Sequence, residues 1–384
     1  MRKVLAILIS IVIPIILFAN INTVNAVDLS KISAKAAILM DAQTGKILYE
    51  KNANTIMPMA STTKIMTTLL SLESGNLDDY FVVDPTAIKV EGSSMGLVEG
   101  DSVTKRILCY GMMLPSGNDA ANSTAVKIAG SIDKFIVMMN ERAKKIGMVN
   151  TNFVTPSGLD DYTDKHYSTA YDMALLTQEA LKNPTFREIC STKNARLEYG
   201  NPPYARWLQN SNKLLTSCKG VIGVKTGFTD KAKRCLVSAC KRDGATLICV
   251  TLNDSNDWRD HSNLYDFGFS QIKKVEMPID NQNMFINVVG GKREIAYCKQ
   301  TAPATLTLFS DDISKITKRV VLPRFVYAPL NAGDEVGRAE YVFEGKVVVT
   351  IPIVVDESVE ELYIKPKPSI KLFFKNIVKK LEHT

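Results

Sequence analysis

The chain has 384 residues, of which 46% are hydrophobic, and a formal net charge of +7. A chain of this length can bury a large core and can form two domains. The charge lies at the two ends: a basic pair at positions 2–3 supplies +2 and residues 365–384 supply +5, which leaves residues 27–364 formally neutral. A nucleic-acid-binding protein would carry its basic patch on the folded body, so the composition argues against that class.

Residues 1–26 have the form of a signal peptide. The basic pair at 2–3 precedes a mostly apolar run over 4–18, and small residues at 24–26 offer a cleavage site. Pro14 and the shortness of the run argue against a permanent transmembrane helix. We expect export with cleavage at the end of this segment; retention as an uncleaved anchor is the alternative.

The folded body begins with a strand over Ala36–Met40, and the first motif, Ser61-Thr62-Thr63-Lys64, follows it. Apolar residues at 65, 66, 69 and 70 recur at helical spacing, which predicts that Ser61 lies in the first turn of a helix. A serine and a lysine three apart share one helix face, so the amine can reach the hydroxyl. The free N–H groups of a first turn also favour a developing negative charge.

The pattern Ser-x-x-Lys is weak by itself. It also occurs at Ser131, Ser238 and Ser270, and an ordinary helix N-cap is the structural alternative for Ser61. The inference therefore rests on the motifs that follow and on their order.

The second motif is Ser116-Gly117-Asn118, which separates an apolar run over 107–114 from an Ala-rich helix that opens at Asp119. A short polar loop between two buried helices directs its side chains at one point, which suits a catalytic partner; a solvated turn is the alternative. The same tripeptide at Ser74-Gly75-Asn76 is predicted to be a glycine C-cap of the preceding helix.

The third motif, Lys225-Thr226-Gly227, occurs once. Strand-like runs over 220–224 and 235–240 flank a polar turn, which predicts a hairpin. Gly227 would let a substrate backbone approach the strand edge without interference from a side chain. The alternative is an edge lysine that only discourages aggregation.

Taken in this order, the motifs are those of penicillin-binding proteins and class A β-lactamases. The chain resembles the D-alanyl-D-alanine carboxypeptidases, the low-molecular-mass penicillin-binding proteins. The resemblance extends through residues 153–160, 168–174 and 225–237, and covers most of the chain from about Ala36 to Val355.

The resemblance implies an α/β fold of the serine β-lactamase/transpeptidase-like kind, with an antiparallel sheet plus an all-helical lobe, over residues 27–274. Residues 277–364 show short alternating runs with turns at 290–291, 331–334 and 344–346, which predict a small all-β domain. A C-terminal amphipathic helix over 365–384 would follow.

The resemblance also implies the roles of the motif residues. Ser61 would be the nucleophile and Lys64 the base, provided that Lys225 and burial lower the pKa of Lys64. Backbone N–H groups of Ser61 and Phe228 would form the oxyanion hole, and Gly227 would lie in the substrate-binding strand. Ser116 would relay a proton to the leaving D-alanine.

Asn118 would position the substrate amide, and Lys225 with Thr226 would hold the terminal carboxylate. Arg259 would be a second carboxylate ligand. No cofactor is expected. The expected ligands are peptidoglycan stem peptides that end in D-Ala-D-Ala, and β-lactams, with roles in cell wall biogenesis, peptidoglycan maturation and cell shape.

Three other functions compete with this interpretation. A class A β-lactamase needs a Glu that activates the deacylating water, yet no Glu occurs from Arg142 to Gln178. We therefore expect a slowly hydrolysed penicillin ester. A transpeptidase would add large partner-binding regions, and a scaffold protein would not need every motif residue.

The tail places Ile370, Phe373, Phe374, Ile377, Val378 and Leu381 on one helical face with lysines opposite. Such a basic amphipathic helix fits an anionic membrane surface, and the resembled family carries a similar anchor. We expect the protein at the outer face of the cytoplasmic membrane. A helix packed on the protein itself is the alternative.

The seven cysteines are an odd number, so at least one is free in a monomer. Cys235 and Cys240 are five apart on a predicted strand and would point to opposite faces, so they should not bridge each other. Most cysteines are expected to be buried as small apolar side chains.

Overall fold

The computed structural model describes residues 28–363, apart from 161–162, 280, 282–283, 310–312 and 344. The predicted signal peptide and C-terminal helix lie outside the described residues. The chain divides into two compact units between Gln271 and Ile272. Among the described residues, no helix is long and apolar enough to span a membrane.

The first unit is built on one five-stranded sheet whose neighbouring strands are all antiparallel. In order across the sheet, the strands are β2 (Ile47–Lys51), β1 (Ala36–Asp41), β9 (Ala245–Leu252), β8 (Lys233–Arg242) and β7 (Val221–Thr229). Strands from the start and the end of this unit therefore join through β1 and β9. All six residues of β1 are buried, as expected of a strand covered on both faces.

A helical lobe fills the sequence between β2 and β7. Its helices are α1 (Lys64–Glu73), α2 (Lys105–Met113), α3 (Asn118–Ala129), α4 (Ile132–Ile146), α5 (Ala170–Ala180) and α6 (Pro184–Ser191). Helix α1 contacts the other five, and its residues Lys64 to Leu72 are buried. A helix buried on all sides is the centre of its lobe. The glycine predicted to end α1, Gly75, has φ +68° just past the helix.

Smaller elements complete this unit. They are the strands β3 (Phe81–Val82), β4 (Ser102–Val103), β5 (Asn194–Gly200) and β6 (Pro203–Gln209), and the helices α7 (Leu214–Ser217) and α8 (Asp257–Ser270). Helices α5 and α8 both pack on β9, and α8 also contacts β8. A sheet with a helical lobe is the predicted fold, and that prediction is confirmed.

The second unit is all-β, as predicted. Its strands are β10 (Ile272–Met277), β11 (Phe285–Val289), β12 (Ile295–Gln300), β13 (Ala304–Phe309), β14 (Ile316–Val321), β15 (Phe325–Tyr327), β16 (Glu335–Phe343) and β17 (Lys346–Val355). They form a six-stranded sheet and a separate β10–β13 pair. Because β10 pairs with β13 along its whole length, the division falls at Ile272, whereas the sequence placed residues up to 274 in the first domain.

All seven cysteines are free thiols, and six of them are buried. Only Cys218, which follows α7, is partly exposed. Its sulfur accepts a hydrogen bond from Arg242 Nη2 at 3.4 Å. A hydrogen bond from the Cys240 thiol lowers the pKa of Cys218 to about 6, against the effect of partial burial. Burial raises the pKa of Cys109 and Cys190 instead.

We predict that Cys218 is the cysteine that alkylates first. Because the thiolate is the reactive form, iodoacetamide at pH 7 should modify Cys218 with the protein folded, and the rate should fall as the pH drops through 6. Peptide mapping by mass spectrometry measures this, with Cys218→Ser as the control. Preferential labelling of any buried cysteine in the folded protein would contradict the assignment.

Candidate active site

Ser61 lies in a tight 3-10 turn, Ala60–Thr63, that leads directly into α1. The hydroxyls of Thr62 and Thr63 donate to the carbonyls of Met59 and Ala60 at 2.6 and 2.8 Å. Ala60 has φ +49°, a conformation that L-residues adopt at a cost. The predicted first helical turn is therefore a 3-10 turn, and α1 itself begins at Lys64.

Lys64 is completely buried, and its Nζ contacts three oxygens. The partners are Ser61 Oγ at 2.9 Å, Asn118 Oδ1 at 2.7 Å and the Ser157 carbonyl at 2.7 Å. Burial, and then the charge of Lys225, hold the pKa of Lys64 well below its usual value. A neutral amine can accept the Ser61 proton while it still donates to the other two oxygens.

Three of the other Ser-x-x-Lys serines, Ser131, Ser238 and Ser270, have structural roles. Ser131 caps α4 by accepting from the Lys134 N–H. Ser238 is buried in β8, where its hydroxyl contacts His261 and Tyr265, and the Ser270 hydroxyl donates to the Phe267 carbonyl. Only the Ser61 pattern brings its own lysine to the hydroxyl in the described structure.

The second motif forms the loop between α2 and α3. Ser116 is mostly buried, has φ +68°, and lines the same cleft as Ser61. Asn118 is also buried, and its Nδ2 donates to the Glu91 carbonyl at 2.7 Å while its oxygen accepts from Lys64. The Asn118 side chain thus holds Lys64, and its expected contact with the substrate amide stays a prediction.

The third motif lies on β7, the edge strand of the sheet, and Thr226, Gly227 and Phe228 line the cleft. A Cβ on Gly227 would lie 3.2 Å from the Met59 carbonyl oxygen, the Ala60 Cβ and the Ser61 nitrogen. The space left by Gly227 is thus filled by the protein's own Ser61 turn, rather than kept open for substrate as we expected. The glycine brings β7 against that turn.

The two cations expected to hold a carboxylate are placed differently. Lys225 is 1% exposed, lies outside the cleft lining, and donates to the Thr226 carbonyl at 2.8 Å. Burial lowers its pKa to about 7. Arg259, whose side chain is 61% exposed, is 3.6 Å from Asp260 and is also outside the lining. The cations that do line the cleft are Lys213 and Arg234.

The cleft has a volume of about 370 Å³, within the range of small-ligand sites. It is lined by Ser61, Ser93, Pro115, Ser116, Ser211, Lys213, Thr226, Gly227, Phe228, Arg234 and Trp258. This lining, among the residues the structure describes, contains no carboxylate. Arg234 is held by Asp257, with which it forms contacts of 2.6 and 2.8 Å, beside the Trp258 ring.

Three residues that the sequence motifs did not indicate, Asp119, His166 and Gly158, support the site. The Asp119 carboxylate accepts the backbone N–H groups of residues 95, 96 and 97, which orders the loop after Ser93. The Val154 N–H donates to His166 Nδ1, so Nε2 carries the proton and donates to Thr63 at 2.7 Å. Burial, and then Lys64, lower the pKa of His166 to about 3, which keeps it neutral.

The third, Gly158, has φ +92°, and a Cβ there would lie 2.0 Å from the Ala60 carbonyl oxygen. The loop that supplies the Ser157 carbonyl to Lys64 therefore passes directly against the Ser61 turn.

Comparison with known proteins matches both units of the chain to known families. Residues 22–256 match the family model described as D-alanyl-D-alanine carboxypeptidase, and 280–361 match that of the penicillin-binding protein 5 C-terminal domain. The chain is 32% identical to D-alanyl-D-alanine carboxypeptidase DacF of Bacillus subtilis, over 85% of this chain and 86% of that protein.

Two solved structures are similar to this one. The Streptomyces K15 DD-transpeptidase has a TM-score of 0.59 at 36% identity, covering 62% of this chain and 98% of that one. D-alanyl-D-alanine carboxypeptidase DacD of Francisella tularensis has a TM-score of 0.60 at 26% identity, covering 90% and 98% respectively.

We predict that Gly158→Ala displaces the Ser61 turn. Gly147→Ala is the matched control, because Gly147 has φ +95° with open space around its Cβ position. Both variants should lose about 1–2 kcal/mol of unfolding free energy from the positive φ. Only Gly158→Ala should also slow covalent labelling of Ser61 by penicillin, by at least about tenfold. Equal labelling rates in the two variants would show that the close contact has no effect on the turn.

Proposed function

The chain belongs to the D-alanyl-D-alanine carboxypeptidase family and is a serine-type hydrolase acting on peptidoglycan, and we propose that Ser61 is its nucleophile. One observation carries the assignment: the buried Lys64 amine lies 2.9 Å from the Ser61 hydroxyl, at the wall of a cleft. A base in hydrogen-bonding contact is what a serine needs to attack a carbonyl. The reaction removes the terminal D-alanine of a stem peptide through an acyl-enzyme.

In acylation, the neutral Lys64 amine takes the Ser61 proton as Oγ bonds to the carbonyl carbon between the two D-alanines. The carbonyl oxygen becomes negative, and the N–H groups of Ser61 and Phe228 stabilise it. Close packing of Gly227 on the Ser61 nitrogen supports this pairing, because it brings the backbone of β7 beside that N–H. Losing one such donor costs on the order of 3 kcal/mol of transition-state stabilisation.

The tetrahedral intermediate then expels D-alanine. Its nitrogen needs a proton, which passes from Lys64 through the Ser116 hydroxyl as the carbon–nitrogen bond breaks. The position of Ser116 in the same cleft wall as Ser61 supports this relay. Asn118 keeps Lys64 in place throughout, through the 2.7 Å contact of its oxygen.

In deacylation, water attacks the Ser61 ester and Lys64 again accepts the proton. The described cleft lining contains no carboxylate that would activate this water, unlike the Glu of class A β-lactamases. We therefore propose that a penicillin ester is long-lived, and β-lactam binding is typical of the family.

For the terminal carboxylate of the substrate, we propose a site formed by the Thr226 hydroxyl with Lys213 and Arg234. All three line the cleft. Lys225 acts through Thr226, whose carbonyl its ammonium contacts. Because burial lowers the pKa of Lys225 to about 7, this lysine is only partly charged at neutral pH, and an anion nearby would raise its charge.

The enzyme acts on the cell wall, and we propose that residues 1–26 direct its export and residues 365–384 hold it at the outer face of the membrane. Six lysines against one glutamate in the tail, beside a continuous apolar face, support this anchor. Each lysine near an anionic surface contributes about 1 kcal/mol of binding free energy. At the outer face of the membrane, the enzyme would trim stem peptides during peptidoglycan maturation and influence cell shape.

Penicillin should add one covalent equivalent to the protein, at Ser61. Intact mass after incubation, followed by peptide mapping, measures this. Ser61→Ala should abolish both labelling and D-alanine release, while the control Ser131→Ala, in another Ser-x-x-Lys sequence, should retain both. Labelling that persists in Ser61→Ala would refute the nucleophile assignment.

Lys213→Gln should raise KM for a peptide ending in a free D-Ala-D-Ala carboxylate. A lost charge-assisted contact corresponds to about 1.5–3 kcal/mol, or roughly ten- to a hundredfold in kcat/KM. Lys219→Gln, an exposed lysine that does not line the cleft, is the control. The same fall in kcat/KM on a C-terminally amidated peptide would show that Lys213 does not recognise the carboxylate.

Truncation before Ser369 should release the enzyme from anionic vesicles without changing its rate on a soluble peptide. High salt alone should weaken binding only partly, because apolar burial is not screened. Vesicle sedimentation and D-alanine release measure the two effects. Continued sedimentation of the truncated protein would place the anchor elsewhere, and unfolding of the all-β unit would show that the tail packs on protein.

A further inference from the structure

The hairpin β5–β6 carries an exposed outer face. The strands pair from Asn194 with Gln209 to Gly200 with Pro203, and side chains alternate between two faces. The inner face is anchored to the body: Tyr199 donates to the Met95 carbonyl at 2.9 Å, and Arg206 forms an ion pair with Asp101 at 3.1 Å. The Arg206 guanidinium also lies 4.2 Å from the Tyr199 ring centroid. The outer face is thus displayed on a rigid support.

Trp207 dominates this outer face and is 72% exposed. Its cross-strand neighbour is Arg196, which lies 3.6 Å from Glu198 in an ion pair, so their charges cancel. The exposed amides of Asn194 and Gln209 face each other at the base of the hairpin. The small exposed side chain of Ala205 lies on the same face. The result is one large aromatic ring bordered mainly by hydrogen-bonding groups, with no net charge.

The outer face lies close along the chain to a residue of the catalytic cleft. Strand β6 ends at Gln209, and Ser211, two residues later, lines the cleft and contacts the Thr226 hydroxyl at 2.7 Å. Trp207 is four residues before Ser211, so their Cα atoms are at most about 14 Å apart. An extended peptide of four or five residues spans a similar length.

We propose that this outer face, centred on Trp207, binds the sugar chain of peptidoglycan while the attached stem peptide enters the cleft. The apolar face of a neutral N-acetylated amino sugar would stack on the indole ring, and the surrounding amide, guanidinium and carboxylate groups would bind its hydroxyl and acetamido groups. The proposal rests on the proposed function, because peptidoglycan joins sugar to stem.

The surroundings of Trp207 favour sugar over a membrane. A membrane-inserting aromatic needs large apolar neighbours, whereas most side chains on this face belong to an ion pair and two amides that would lose water on insertion. Neutral sugars match a neutral surface rich in donors and acceptors. Tryptophan is also enriched at binding interfaces, because its ring is apolar while its N–H can donate a hydrogen bond.

Binding can be measured without catalysis. The chain has two tryptophans, so Trp258→Phe leaves Trp207 as the only one, and excitation of tryptophan alone reports on it. Titration with soluble oligomers of N-acetylglucosamine, which are neutral sugar chains, should change Trp207 fluorescence in a saturable way. In sedimentation with the same chains immobilised, Trp207→Leu should bind about tenfold more weakly, Trp207→Tyr should retain most binding, and Tyr80→Ala, at a separate exposed aromatic, should match wild type. No response from Trp207, or equal binding by Trp207→Leu, would overturn the proposal.

Kinetics separate this inference from the catalytic assignment. Trp207→Leu should leave D-alanine release from a short free peptide unchanged and lower kcat/KM about tenfold on stems still attached to sugar chains. Loss on both substrates would indicate a structural role for Trp207 and overturn the proposal. If Trp207→Leu instead lost only binding to anionic vesicles, the surface would be a membrane contact. If wild type released no D-alanine from either substrate, the proposed function would be wrong, while the sugar titration would still test the surface.

Discussion

The burial of Lys64 is the constraint on which the first unit depends. A buried amine is tolerated only where oxygens surround it, and here a hydroxyl, a side-chain amide and a backbone carbonyl come from three separate segments. The fold must bring those segments together before this side chain can be satisfied. The same burial disfavours the charged form of Lys64, which suits the role of base that we propose for it.

Close backbone approach makes that assembly possible. Gly227 on the edge strand and Gly158 in the loop after α4 both lie against the Ser61 turn, where a methyl group would meet backbone atoms. A turn packed from two sides has little freedom, which keeps the Ser61 hydroxyl and its N–H in a fixed relation to the cleft. Neutral His166 adds a third support through Thr63. Preorganised donors of this kind are worth more than those that must reorganise during reaction.

Charge in the cleft is divided between two layers. Lys64 and Lys225 are buried, and each has a lowered pKa, whereas Lys213 and Arg234 face the cleft. Burial disfavours the charged form of the first pair, which suits the proton transfer that we propose for Lys64. The second pair lines the cleft, where an anionic substrate can contact it. A sugar-binding outer face on β5–β6 would extend recognition from the end of the stem peptide to its point of attachment.

Local sequence pattern was enough to predict several of the elements and to locate the three motifs. The spacing of Ser61 and Lys64, the hairpin that carries Lys225-Thr226-Gly227, the glycine end of α1 and the alternation in the second unit all depend on contacts within a few residues, which sequence periodicity reports directly. Their order, together with the family resemblance, indicated the fold class and the reaction. Only the tertiary structure decided that Asn118 contacts Lys64, that Gly227 faces the Ser61 turn, and that Lys213 and Arg234 rather than Lys225 and Arg259 line the cleft. Those facts depend on contacts between segments tens to hundreds of residues apart, and no local pattern records which way a side chain points once such segments meet.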